Sequence, residues 1–223
     1  MQRPVLFFLH SLGAGRTEWS RVIALLEDRY TCVALDIPGF AGTLAGDVLG
    51  TVALSEWFAE EVARRAPSCW YAVGHSMGGK IATQVAAHAR DGRQGLAGLA
   101  GVALVAASPP SPEPMDDARR ARMLAWAAHG GVSRAHAHTF VADNTAHPLP
   151  EPALTRAVED VMRCDPVAWT HWLRHGSRED VSAAVGQLRV PALILAGAED
   201  GDLGEPNQRA LNAPHYERAD VAV

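Results

Sequence analysis

Gly74-His75-Ser76-Met77-Gly78-Gly79 is the stretch on which the reading of this chain turns. A short apolar run, Trp70 to Val73, precedes it, and a helix-forming run, Lys80 to Ala89, follows, so the six residues occupy a strand-to-helix turn. Glycine, any residue, serine, any residue, glycine at such a turn is the pattern of a nucleophile elbow. The serine takes a strained backbone conformation, and its neighbours two positions away must be nearly free of side chain, or strand and helix collide. Gly74 and Gly78 meet that requirement, and Gly79 gives further clearance. The serine oxygen is then held at a helix N-terminus, where unpaired N–H groups and the helix dipole favour developing negative charge.

Outward from the turn, the chain alternates strand and helix. Val5 to Leu9 is a continuous apolar run, the mark of a strand buried on both faces. A small-residue loop, His10 to Gly15, follows, and Thr17 is expected to cap a helix through Leu26. Thr31 to Leu35 reads as the next strand and ends in the turn-rich Asp36-Ile37-Pro38-Gly39. A helix is expected from about Ser55 to Arg65, then the elbow, then a strand over Val102 to Ala106. Such alternation implies parallel crossovers and a mostly parallel sheet.

The character changes at Ser108-Pro109-Pro110-Ser111-Pro112-Glu113-Pro114, which continues neither strand nor helix. Up to about Asp180 only helical patterns follow. They are Asp116 to His129, a second after Ser133, a third over Ala153 to Arg163, and a fourth with Asp165 as N-cap, Pro166 at its first position and Gly176 past its end. Strand signals resume at Ala192 to Ala196, and a last strand begins at Ala219. The fold class is therefore α/β, a mostly parallel central sheet flanked by helices, with an inserted all-helical cap. The core is expected over 1–108 and 181–223, and the cap over 109–180.

The bulk properties narrow the function. A chain of 223 residues can bury a substantial core, and a net charge of −5, not concentrated anywhere, argues against nucleic-acid or anionic-membrane partners. Three scattered cysteines suggest reduced thiols and a cytoplasmic protein; Cys32 and Cys69 read as small buried hydrophobes. No apolar run approaches membrane-spanning length. His136 and His138, two apart on a helix, face different directions and find no completing ligand cluster, so neither a metal nor a cofactor is expected.

Four stretches together carry a family resemblance: His10-Ser11-Leu12-Gly13, Asp36-Ile37-Pro38-Gly39-Phe40, the elbow, and Val190 to Asp200. The chain resembles the α/β-hydrolase fold superfamily, in the serine-nucleophile branch with a helical cap. The resemblance implies Ser76 as nucleophile, Asp200 as the acid that orients a histidine, and the backbone N–H groups of Leu12 and Met77 as an oxyanion hole. Asp202 is the second candidate for the acid and Glu199 a lesser one; the competing reading is a solvated acidic turn. The family commonly has glycine where Ser11 stands.

The general base is the difficulty. A serine hydroxyl needs one, and the only histidine after Asp200 is His215. It precedes the last strand and so belongs at the opposite sheet edge from the elbow, roughly 16 Å away for a strand of about five residues. The expectation is that the histidine lies just past Val223, with the last strand cut short. His75 is read as a structural residue pointing away from Ser76, and His10 as a stabiliser of the oxyanion loop.

Met115, Met123, Trp126, Phe140, Met162, Trp169 and Trp172 either roof an apolar pocket above Ser76 or join cap to sheet. The expected activity is hydrolysis of small or medium carboxylic esters through an acyl-enzyme on Ser76. The alternatives are thioester or C–C bond hydrolysis, cofactor-free perhydrolysis, or a non-catalytic ligand-binding relative.

Overall fold

The computed structural model describes residues 3–223. Six strands form one sheet: β1 Val5–Leu9, β2 Thr31–Leu35, β3 Trp70–His75, β4 Leu99–Val105, β5 Ala192–Leu195 and β6 Ala219–Ala222. Their order is β2-β1-β3-β4-β5-β6, and every neighbouring pair is parallel. The sequence expectation of a mostly parallel sheet is met. The order reverses between β1 and β3, so the loops leaving these two strands diverge and open a crevice at the carboxyl edge.

Alternation along β1 explains the two layers. Phe7 and Leu9 face α2 (Gly50–Arg65) and α3 (Met77–Arg90), where Phe7 meets Phe58 and Trp70 edge to face at 6.0 and 5.8 Å. Leu6 and Phe8 face the other way, against Trp19 and the short helix α1 (Ser20–Leu26). That second layer stops short of β5, whose Leu193 and Leu195 stay exposed.

Two helix starts differ from expectation, for one physical reason. Helix α2 begins at Gly50, five residues before Ser55, because the Glu179 carboxylate, far along the chain, accepts from both the amide and the hydroxyl of Thr51. Ser55 turns its hydroxyl back to the Val52 carbonyl instead. Thr17 caps no helix: it sits in a 3₁₀ turn, Arg16–Trp19, and donates to Asp160 Oδ2 at 3.1 Å.

Between β4 and β5 the chain is all helical. It forms α4 Asp117–Trp126, α5 Arg134–Asp143, α6 Ala153–Met162, α7 Pro166–Arg174 and the single turn α8 Ser182–Val185. Asp165 caps α7 as the sequence implies, accepting from the Val167 amide at 2.8 Å ahead of Pro166. After β5 come α9, Glu205–Asn207, and a π-helical turn, Gln208–Asn212. No helix among the described residues is long and apolar enough to cross a membrane. The three cysteines are free, Cys164 buried and Cys32 and Cys69 half-buried.

The two ends of the helical segment are held together. Val181 N donates to Pro110 O, and Glu113 N to Ser177 O. Under them lies Lys80 of α3, fully buried, with its ammonium on the carbonyls of Ser111 at 3.2 Å and Glu179 at 2.6 Å. Burial pushes the Lys80 pKa down to about 8, against the upward pull of Glu113, Glu179 and Asp180. Replacing Lys80 by Met strands two buried carbonyls, a loss of about 1–3 kcal/mol. In urea titrations at pH 7, K80M is expected to unfold earlier than wild type by that amount, with faster proteolysis across 109–116 and 175–182. The wild type should gain on K80M as pH rises from about 8 towards 10.5, because the unfolded chain still holds a proton that the folded chain has released.

Candidate active site

Ser76 stands between β3 and α3 with φ 48° and ψ −117°, a left-handed backbone that a serine adopts only under constraint. The constraint is close packing. A Cβ on Gly74 would lie 2.4 Å from the Gly78 carbonyl oxygen, and one on Gly78 would lie 2.5 Å from that of Leu9, so the elbow tolerates only glycine at both. Main-chain bonds pin the turn further. Ser76 N donates to Val105 O, and Ser76 O accepts from both Gly79 N and Ser108 N. The hydroxyl makes no capping bond to α3.

The loop after β1 is fixed by His10. The Ile37 amide donates to His10 Nε2 at 2.9 Å, so the ring proton sits on Nδ1, which donates to the Ser11 carbonyl at 2.8 Å. Burial holds the His10 pKa below its ordinary value, outweighing the Ser11 carbonyl, and so preserves this neutral tautomer. The Ser11–Leu12 peptide is planar and trans, so holding its oxygen also fixes the direction of the Leu12 N–H. Neither the Leu12 nor the Met77 N–H donates to a backbone acceptor among the described residues. Met77 opens α3, which leaves its amide among the unpaired donors of the helix start.

Ser76, Leu12 and Asp200 line one cavity of about 120 Å³. One oxygen of Asp200 accepts the Leu203 amide at 2.9 Å. Asp202 lines the same cavity but is engaged by Arg119 of α4 at 2.8 Å, and Arg119 in turn reaches Asn144 at 2.9 Å. Glu199 is exposed and does not contribute to the lining. His215 precedes the parallel strand β6, at the amino-terminal edge, and its Nδ1 is 2.9 Å from the Gly186 carbonyl.

His75 is the one histidine among the described residues of the lining. Its Nδ1 lies 2.9 Å from Glu18 Oε1, and the ring packs against Trp19. Burial works against the charged ring, but the charge and hydrogen bond of Glu18, with Asp200 adding, hold the His75 pKa above its ordinary value. Burial likewise opposes the Glu18 carboxylate, and His75, His10 and Ser11 together keep its pKa low.

Sequence reasoning missed Glu18 and also Glu113. Glu113 leaves the proline-rich stretch to line the cavity and accepts the Ser108 hydroxyl at 2.8 Å. Its burial raises its pKa despite Ser108, Arg120 and Lys80. No local pattern marks it; the one sign of Glu18 was the serine at position 11, whose hydroxyl it binds.

Of the large cap residues some border the cavity and others pack within the cap itself. Met115, Met123, Phe140 and Trp172 border the cavity. Trp169 is fully buried inside the cap, bonded to the Met123 carbonyl at 3.0 Å and packed on Phe140, while Trp126 stacks on His136.

The chain is similar in sequence or in fold to several known proteins. The pimeloyl-[acyl-carrier protein] methyl ester esterase of Aeromonas hydrophila subsp. hydrophila is 37% identical over 86 residues, 38% of this chain and 33% of that enzyme. A putative 2-succinyl-6-hydroxy-2,4-cyclohexadiene-1-carboxylate synthase of Haemophilus influenzae is 30% identical over 88 residues, 38% of this chain and 34% of that protein. The chain thus aligns with about a third of the length of these curated relatives. Among solved structures, an esterase from Exiguobacterium antarcticum superposes with a TM-score of 0.82 at 16% identity, covering 99% of this chain and 83% of that one. The enol-lactonase from Burkholderia xenovorans LB400 gives 0.79 at 16% identity, covering 100% and 83%. At such identities the likeness is one of fold. The model of the alpha/beta hydrolase family matches residues 6–222, nearly the whole chain, and the protein belongs to that family.

Proposed function

We propose that the protein is a serine hydrolase of small or medium carboxylic esters that forms an acyl-enzyme on Ser76. The observation that carries this reading is the strained serine at the N-terminus of α3, bordering a cavity that also meets Leu12 and Asp200. In the forward step Ser76 Oγ attacks the ester carbonyl carbon, its proton goes to a general base, and the carbonyl oxygen becomes an oxyanion received by the Leu12 and Met77 amides. Collapse expels the alcohol, and water then releases the acid and frees Ser76. Asp200 is assigned as the acid that orients the base. The esterase activity named for the Aeromonas relative supports the ester class.

The small cavity favours short acyl groups, since drug-sized ligands occupy roughly 300–1,000 Å³. Its apolar wall of Met115, Met123, Phe140 and Trp172 suits a hydrocarbon chain, while Glu113, Arg119 and Asn144 supply a polar side. A second reading, a ligand-binding relative, draws on one observation: among the described residues no histidine is hydrogen-bonded to Asp200.

Turnover separates the two. With p-nitrophenyl acetate the wild type is expected to hydrolyse, and Ser76→Ala to lose at least about a thousandfold in kcat. A fluorophosphonate should label Ser76; binding of short esters without labelling or turnover would establish the second reading instead. Across p-nitrophenyl esters, kcat/KM is expected to fall about tenfold or more between butyrate and octanoate, about 1.4 kcal/mol of lost transition-state stabilisation. Equal rates along the series would exclude a cavity-limited acyl site.

A further inference from the structure

Beside the elbow, one carboxylate joins two segments that are distant in sequence. Glu18 accepts from the Ser11 amide at 3.1 Å and from the Ser11 hydroxyl at 2.8 Å. The same Oε1 that takes the hydroxyl also takes the His75 Nδ1 proton at 2.9 Å. Ser11 immediately precedes Leu12, and His75 immediately precedes Ser76, which Met77 follows. The turn that carries Glu18 is itself secured on both sides: Arg16 N donates to Asp36 Oδ1, Thr17 to Asp160, and Trp19 packs against Phe8 and the His75 ring.

We propose that Glu18 is a positioning residue that clips the loop carrying the Leu12 amide to the elbow carrying the Met77 amide, and so sets the separation of the two oxyanion donors. The proposal rests on the hydrolase reading above. An oxyanion hole works only when both donors lie about 2.7–3.1 Å from the developing charge, and loss of one typically costs 10²–10³ in kcat. His10 already orients the Leu12 amide within its own loop. Beyond the β1–β3 pairing, which ends at Leu9 and Gly74, and the packing of Gly78 on β1, Glu18 adds a side-chain link from that loop to the elbow. The clip also gives Ser11 a use that glycine at this position would lack, because its hydroxyl is one of the three donors.

The charges around the clip agree with this role. His75 faces Glu18 from the 3₁₀ turn and Asp200 from the loop after β5, and His10 adds to the field at Glu18. Glu113, Arg119 and Asp202 border the same cavity. The His75 pKa is raised on folding, so the charged pair contributes its full stability below the ordinary histidine value of about 6.5 and loses it as pH climbs through the raised value.

The test begins with fluorophosphonate labelling of wild-type Ser76; no labelling would remove the hydrolase reading and this inference with it. Given labelling, Glu18→Gln is expected to slow it, and to lower kcat on p-nitrophenyl acetate, by about 10–100-fold, with KM changing less than about threefold. Ser11→Gly removes one of the three bonds and should fall between wild type and E18Q. His75→Asn keeps an N–H donor near the Nδ1 position and should retain most activity, whereas His75→Ala should resemble E18Q. Two measurements are independent of turnover: hydrogen exchange across 10–15 should speed up in E18Q, and NMR titration of the His75 ring should move to lower pH. Wild-type rates and unchanged exchange in a folded E18Q, or His75→Asn as impaired as His75→Ala, would overturn the proposal.

Discussion

The rest of the site is arranged around the close approach of the elbow to the end of β1. Gly78 lies so near the Leu9 and His10 carbonyls that no side chain fits between. This contact brings the first turn of α3 against the loop after β1, and both must emerge at the same sheet edge because β1 and β3 are parallel neighbours. The strained Ser76 backbone is the local cost of that crossing. It persists because β4, through Val105, and the segment after it, through Ser108, hold the main chain on both sides.

Polar side chains, one of them fully buried, then serve as long-range fasteners. His10 joins the ends of β1 and β2, Glu18 joins the β1 loop to the elbow, and Glu179 caps α2 from the far side of the helical insert. Each satisfies main-chain donors that hydrophobic packing alone would leave bare, and buried donors left unpaired cost about 1–3 kcal/mol each. The apolar layers supply most of the stability, while these bonds select one arrangement of loops from several that would pack comparably.

This division also explains what the sequence disclosed. Strands of this parallel sheet are written as apolar runs even where, as in β5, one face stays exposed, so Val5 to Leu9, Thr31 to Leu35 and Ala192 to Leu195 could be read directly. The elbow and the Asp165-Pro166 helix start were legible because their determinants are local. The start of α2, the use of Thr17 and the partner of His75 were not, because each is decided by a carboxylate far away in sequence: Glu179, Asp160 and Glu18 respectively. Ser76, Leu12 and Asp200 were drawn to one cavity by topology, since each follows the carboxyl end of a strand. The entry of Glu113 into that cavity follows from the path of a proline-rich segment, which has no periodicity to read.

Lys80 grips both ends of the helical insert from a single point on α3, next to the nucleophile's own helix turn. A roof tethered so can rock about that point but cannot slide or splay, since sliding would tear one carbonyl from the ammonium while keeping the other. The far side of the insert has its own tie to the core, since Asp160 of α6 accepts from Thr17, so the insert is held at both rims rather than at one.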